Sequence, residues 1–162
     1  MNFRILSALA LMAVAALSSP TVLARQSTVP RAAAPSKATP LTIGQTFTLQ
    51  SATLKETRRI NVYLPAAYST AATTRLPVLY MPDGGMAEDF LHVAGLVQVL
   101  TGNGTMRPFI LVGIENTERR RDMTGPTEDP EDRKIAPRVG GSQAFRTFIR
   151  KELMPAIRAR YR

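Results

Sequence analysis

The residues best suited to chemistry form a short turn, Pro82-Asp83-Gly84-Gly85. This turn follows the apolar run LPVLYM and precedes a segment with helical spacing. Glycines let the backbone turn sharply and bring N–H groups close to a bound atom. A backbone N–H that points at a developing oxyanion is a strong catalytic device. The same residues also fit a tight strand-to-helix turn without a chemical role.

Groups for nucleophilic or metal chemistry are scarce in this sequence. It contains no cysteine, a single histidine (His92) and no G-x-S-x-G motif. We expect His92 to lie on a helix, partly buried or at the rim of a cleft. With so few candidate ligands we predict no metal site and no cofactor. Ser142, in VGGSQAF, is expected to be the N-cap of a helix, with anion binding at that helix N-terminus as the alternative.

Several segments predict strands. QTFTLQSATL and RRINVYLP alternate apolar and polar residues, which indicates a β-hairpin joined at Lys55-Glu56-Thr57. The small residues of AAYSTAATTR predict a surface loop. LPVLYMP and PFILVGIE are continuously apolar, which favours strands covered on both faces, as in a parallel sheet.

Two segments predict helices. MAEDFLHVAGLVQVL places Glu88 and Asp89 in a first turn and apolar residues at helical spacing: Phe90, Val93, Ala94, Val97 and Leu100. Residues 142–162 carry a second apolar face, with a bend expected at Pro155: Phe145, Ile149, Leu153, Ile157 and Tyr161. A long polar loop from Asn116 to about Arg138 separates the second buried strand from this helix. The order hairpin, strand, helix, strand, helix predicts an α/β architecture with parallel central strands.

The N-terminal residues predict an exported protein. One positive charge in residues 1–4, an apolar run over residues 5–17 and Val22-Leu23-Ala24 have the pattern of a signal peptide over residues 1–24. The protein would then be periplasmic or secreted, without a membrane segment after cleavage; an uncleaved anchor is the alternative. Residues 25–40 are rich in Ala, Pro, Ser and Thr and predict a flexible linker. The folded domain is expected over residues 41–162.

The basic charge does not predict a nucleic-acid partner. The formal net charge is +9, from 21 basic and 12 acidic residues. Removal of the signal deletes only Arg4, which leaves 20 − 12 = +8. The arginines are scattered over several segments, with little of the aromatic interleaving that single-strand binders use. A basic anion-binding protein would need a contiguous arginine face instead.

Four segments carry a family resemblance: RRINVYLPAAY, LPVLYMPDGG, FILVGIENTERRRDMT and FIRKELMPAIRARYR. Their order, over about residues 43–162, resembles the esterase D-like, enterochelin esterase-related branch of the α/β-hydrolases. The resemblance implies a serine hydrolase that acts on small-molecule carboxylic esters. It also implies that the oxyanion donor is the N–H of Gly85, with Met86 as the neighbouring alternative.

Further residues are candidates by the same resemblance. Asp83 and Gly84 belong to the proposed oxyanion loop. A family signature near the cleft is matched by Arg119, Arg120, Arg121 and Asp122, which would either hold the loop by Arg–Asp pairing, as we favour, or contact substrate.

The sequence also departs from the family pattern. In the family, RYR is followed by a strand and the nucleophile elbow, then an acid and a histidine. This sequence stops at Arg162, so we expect the N-terminal part of an α/β-hydrolase domain without a triad, inactive alone. The strand over residues 76–82 would then have an unpaired edge open to self-association. An exported binding module for esters or sugars is the alternative function.

Overall fold

The computed structural model describes residues 37–70, 73–136 and 138–162. Residues Pro40–Arg162 form one compact unit. The predicted signal peptide and the linker up to residue 36 lie outside the described residues. Within the described ranges, no helix is both long enough and apolar enough to span a membrane.

The core of this unit is a four-stranded sheet. Its strands are β1 (Gln45–Ser51), β2 (Glu56–Tyr63), β3 (Val78–Pro82) and β4 (Ile110–Ile114), in the order β1-β2-β4-β3. The β1–β2 and β2–β4 pairs are antiparallel, and β3 and β4 are parallel. The predicted hairpin and α/β class are therefore confirmed. The hairpin connection is residues 52–55, so Glu56 and Thr57 belong to β2.

Strands β3 and β4 differ in burial although both are apolar. All five residues of β4 are buried between β2 and β3, as the continuous apolarity predicts. Strand β3 has β4 as its one neighbour within the described sheet, and Leu79 is 46% exposed. The prediction that β3 is covered on both faces is therefore wrong. Because β3 lies at the edge of the described sheet, its side chains have neighbouring strand residues on one flank only.

Helix α1 (Ala66–Thr70) lies where a loop was predicted. Helix α2 (Phe90–Gly102) covers one face of the sheet. It packs its buried side chains against Tyr63 and Leu111: Phe90, Ala94 and Val97. The helix begins at Phe90, with Asp89 as N-cap, so residues 86–89 form a turn rather than a first helical turn.

The polar segment after β4 is more ordered than predicted over residues 116–136. It contains α3 (Arg119–Met123) and α4 (Pro130–Ile135). The Asp129 carboxylate accepts the N–H of Glu131 at 2.9 Å, and Pro130 occupies the first turn. The Asp-Pro pair is a helix-start signal that the sequence offered.

The C-terminal segment covers the other face. It consists of α5 (Ser142–Phe148), a π-helical turn (Ile149–Leu153) and α6 (Met154–Arg160). Its buried apolar residues pack on β2 and β4: Phe145, Phe148, Leu153 and Ile157.

Two predictions concern this segment, the bend at Pro155 and the N-cap at Ser142. At the predicted bend, the π-helical turn directly precedes the turn that holds Pro155, a residue that lacks an N–H and crowds the turn before it. The N-cap prediction for Ser142 is wrong, because Gly141 is the N-cap and no side-chain cap bond forms.

Candidate functional site

The first glycine of the turn after β3 is fixed by packing. The N–H of Gly84 donates to the carbonyl oxygen of Ile114 at 3.0 Å, and its own carbonyl accepts from Asn61 Nδ2 at 2.8 Å. A Cβ on Gly84 would lie 2.3 Å from the Cα of Gly113. A side chain therefore has no room here, and Gly84 brings the turn directly against β4.

Asp83 anchors the turn to the loop after β4. Its backbone is left-handed, with φ of 55°. Its carboxylate accepts from Arg119 Nε at 2.7 Å, from Arg119 Nη2 at 3.0 Å and from Asn116 Nδ2 at 2.6 Å. The hydrogen bonds from Arg119 and then Asn116 hold the pKa of Asp83 below its ordinary value, although partial burial opposes them. Asp83 is therefore an ionised structural anchor at neutral pH.

Gly85 and Met86 differ in the state of their amide hydrogens. The N–H of Gly85 donates to Glu88 Oε2 at 2.6 Å. For Met86, which is 49% exposed, no acceptor of its N–H is found in residues 37–70, 73–136 or 138–162. The amide expected as the main oxyanion donor is thus engaged by a neighbouring carboxylate, and the amide expected as the alternative is available.

Arg121 and Asp122 belong to a separate, buried ion network. The Asp122 carboxylate pairs with Arg58, and both side chains are almost completely shielded from solvent. Arg121 donates from Nε to Asp122 Oδ1 at 2.8 Å and from Nη2 to Glu56 Oε1 at 2.8 Å. These contacts tie α3 to β2, the kind of Arg–Asp pairing that was favoured for these residues.

The same network sets the charge state of Glu56. Burial alone would raise the pKa of Glu56, but the hydrogen bonds from Arg121 and Thr117, with the charges of Arg58 and Arg121, outweigh it and lower this pKa. Arg58 was missed in the sequence, although it shares the strand period of Ile60 and Val62 and therefore points to the buried face.

Asn116 of the glycine-turn cluster was also missed, whereas Arg119 belongs to the family signature named above and pairs with Asp83. Asn116 and Arg119 follow β4 as Asp83 follows β3. Carboxyl ends of parallel strands lie at the same edge of a sheet, so this juxtaposition had a sequence signal. His92 is exposed on α2. Among the described residues, no three His, Asp or Glu side chains are placed to hold a metal ion.

The fold and the turn at its strand ends define a class of protein. A mixed sheet with helices on both faces, and a glycine turn at the carboxyl end of a parallel strand, fit the α/β-hydrolases. The model of the family described as "Putative esterase" matches residues 51–162. The chain therefore belongs to this esterase family, which confirms the predicted relationship.

Solved structures agree with this assignment. The IroE-like serine hydrolase from Shewanella oneidensis is 37% identical, with a TM-score of 0.60 over 74% of this chain and 39% of that chain. The siderophore hydrolase EstA from Aspergillus nidulans is 20% identical, with a TM-score of 0.61 over 76% and 46%. The BES protein from Bacillus cereus is 20% identical, with a TM-score of 0.57 over 81% and 51%. The last two support the fold alone.

The matched region is a part of each of these proteins. The chain spans about two fifths to one half of their lengths. A search of curated proteins gave no match.

Proposed function

We propose that residues 41–162 supply the oxyanion side of a serine esterase site for carboxylic esters of small molecules. The observation that carries this proposal is the Asp83–Gly85 turn at the end of β3, in a chain of the esterase family. Gly85 and Met86 are the two candidate donors, and Asp83 and Gly84 fix the turn that presents them. Arg121 and Asp122 hold the neighbouring loop rather than contact substrate.

We further propose that a polypeptide of these residues alone does not hydrolyse esters. Acyl transfer requires a nucleophile activated by an adjacent base. The sequence offers no G-x-S-x-G, and its single histidine is exposed on α2. The oxyanion forms only after a nucleophile attacks the ester carbonyl, so an oxyanion donor alone does not catalyse the reaction.

An assay with p-nitrophenyl acetate tests both statements. Purified residues 25–162 should give no turnover above buffer. A chimera that joins them to the remaining part of the Shewanella oneidensis hydrolase should give turnover. Sustained hydrolysis by residues 25–162 alone would refute the inactivity, and an inactive but folded chimera would count against the esterase role.

Proline substitution in the chimera identifies the donor, because proline has no N–H. Loss of one oxyanion donor lowers kcat by about 10²-fold or more. Gly85→Pro should cause this loss of kcat. Met86→Pro, the matched variant at the next residue, should keep kcat if Gly85 is the donor. Circular dichroism of both variants shows whether the fold is kept. A loss confined to Met86→Pro would assign the donor to Met86.

A non-catalytic binding module for esters or sugars is the second candidate. It is favoured by the compact unit over Pro40–Arg162, which buries apolar side chains on both faces of its sheet. Saturable binding of an ester or a sugar by residues 25–162, with one cooperative melting transition, would support it.

Export is part of the proposal. The signal pattern over residues 1–24 should direct export of the chain, with cleavage after Ala24. Mass spectrometry of the periplasmic and secreted fractions should find the protein with Arg25 as its N-terminal residue. A protein that keeps Met1 would point to an uncleaved anchor.

A further inference from the structure

The carboxylate of Glu88 is held by hydrogen-bond donors from two loops. Gly85, after β3, donates its N–H to Oε2 at 2.6 Å. Asn116, after β4, donates its side-chain amide to Oε1 at 2.8 Å and places its backbone N–H 3.3 and 3.4 Å from the two oxygens. Three N–H groups therefore converge on one negatively charged group.

These donors resemble a receptor for a small anion. Backbone amides cannot lose their protons and carry no counter-charge of their own, so they bind an anion through oriented dipoles. A Cβ on Gly85 would lie 2.8 Å from Glu88 Oε2, so the glycine leaves room for the oxygen to approach the backbone. The turn is thus shaped for an oxygen atom at this position.

Glu88 is the more readily displaced of the two carboxylates at this turn. Asp83 is paired with Arg119 through two nitrogen atoms. In the part of the chain that the structure describes, Glu88 forms no ion pair within 4.0 Å, and the charge of Arg119 acts on it only at longer range. Glu88 is also partly exposed to solvent.

The turn keeps its shape without the Glu88 carboxylate. The backbone N–H of Glu88 donates to the carbonyl of Gly85 at 3.1 Å, and that of Asp89 to the carbonyl of Asp83 at 3.1 Å. Neither bond involves a side chain. Rotation of the Glu88 side chain into solvent therefore vacates the donors while the backbone stays in place.

We propose that Gly85 and Asn116 form a binding site for a small carboxylate or oxyanion, and that Glu88 is its internal, competing ligand. The catalytic part of this inference rests on the proposed function. The N–H of Gly85 already donates to Glu88 at 2.6 Å, so the Glu88 carboxylate must leave before Gly85 can donate to an oxyanion. Glu88 then acts as a gate on the oxyanion loop.

The test is an acetate titration of the ¹⁵N-labelled full chain, followed by NMR of the Gly85 and Asn116 amides, with sodium chloride at equal ionic strength as the salt control. Glu88→Ala should bind acetate at least about tenfold more tightly than the unaltered chain, because it removes the carboxylate that competes for the same N–H groups; tenfold corresponds to about 1.4 kcal/mol. Asp89→Ala is the matched control, because it removes a neighbouring charge that makes no cap bond. Equal acetate responses in all three proteins would overturn the proposal.

Two measurements guard against a variant that does not fold. Glu88→Gln keeps the side-chain length but binds N–H groups more weakly, and should also increase acetate affinity. In the unaltered chain, a scalar coupling across the hydrogen bond should join the Gly85 amide nitrogen to the Glu88 carboxyl carbon. Absence of this coupling in a folded sample would contradict the internal ligand.

The titration involves no ester hydrolysis, so its outcome is separable from that of the esterase proposal. Acetate binding with an inactive chimera would leave the anion site standing and remove the catalytic role. An active chimera that depends on Gly85, together with no acetate binding in Glu88→Ala, would support the esterase proposal and remove the anion site.

Discussion

Gly84 and Gly113 meet backbone to backbone where the turn after β3 crosses the end of β4. A Cβ on Gly84 would lie 2.3 Å from the Cα of Gly113 and 2.3 Å from the N of Ile114. A Cβ on Gly113 would lie 2.6 Å from the carbonyl oxygen of Gly84. Both glycines are needed for this approach, which places the N–H of Gly85 beside the loop that begins at Glu115.

The first prediction follows from this contact. Gly84→Ala should destabilise the fold by about 3 kcal/mol, because the obstructing atoms are backbone atoms that cannot rotate away. Gly95→Ala is the matched control. Apart from its chain neighbours and its own helix backbone, no atom of the described residues lies within 4 Å of the added Cβ, and alanine is favoured in a helix by about 0.5–1 kcal/mol. Urea unfolding measures both. A neutral Gly84→Ala would refute the packing argument. The same change in the free energy of unfolding in both variants would also refute it.

The second prediction concerns the buried pair of Arg58 and Asp122. Asp122→Asn should lower the free energy of unfolding by about 3 kcal/mol, since it leaves a buried guanidinium with less compensation. Glu56, 2.6 Å from Arg58 Nη2, keeps the effect from being larger. Glu128→Gln removes an exposed carboxylate and should be neutral. If urea unfolding gives both variants the stability of the parent, the network has no structural role.

The third prediction is a pH dependence at Asp83. Because the pKa of Asp83 is lowered in the fold from an ordinary 3.8, its pairing with Arg119 stabilises the turn above that value. This stabilisation is lost as the pH falls below it, through the lowered pKa. A ¹³C NMR titration of the carboxyl group should show the low pKa, and Arg119→Gln should move it toward 3.8. An Asp83 pKa that Arg119→Gln does not move would contradict the prediction.

The fourth prediction concerns self-association through the edge of β3. An unpaired strand edge invites pairing with another chain, and a lysine there discourages it. Sedimentation of the parent should depend on concentration, and Leu79→Lys should remove this dependence. Leu96→Lys replaces another exposed leucine, 59% exposed on α2, and should behave as the parent does. A parent that is monomeric at all concentrations would exclude self-association.

The sequence predicted much of the fold because the signals were local. The alternation in β1 and β2, the apolar run of β4 and the helical spacing of α2 each depend on neighbours a few residues apart. The burial of β3 was predicted incorrectly for the opposite reason. Its apolarity matches that of β4, and the order of strands across the sheet decides which of the two lies at the edge.

The features of the glycine turn also separate into those that the sequence determines and those that the tertiary structure decides. The sequence by itself determined that a turn of Asp, Gly and Gly ends a strand, and that no nucleophile elbow accompanies it in these 162 residues. Only the tertiary structure decided that Gly84 is a packing glycine against Gly113 and that Glu88 shares its carboxylate between Gly85 and Asn116. The Gly84–Gly113 and Glu88–Asn116 contacts join residues 29 and 28 positions apart, and such contacts depend on the parallel alignment of β3 and β4 rather than on any local pattern.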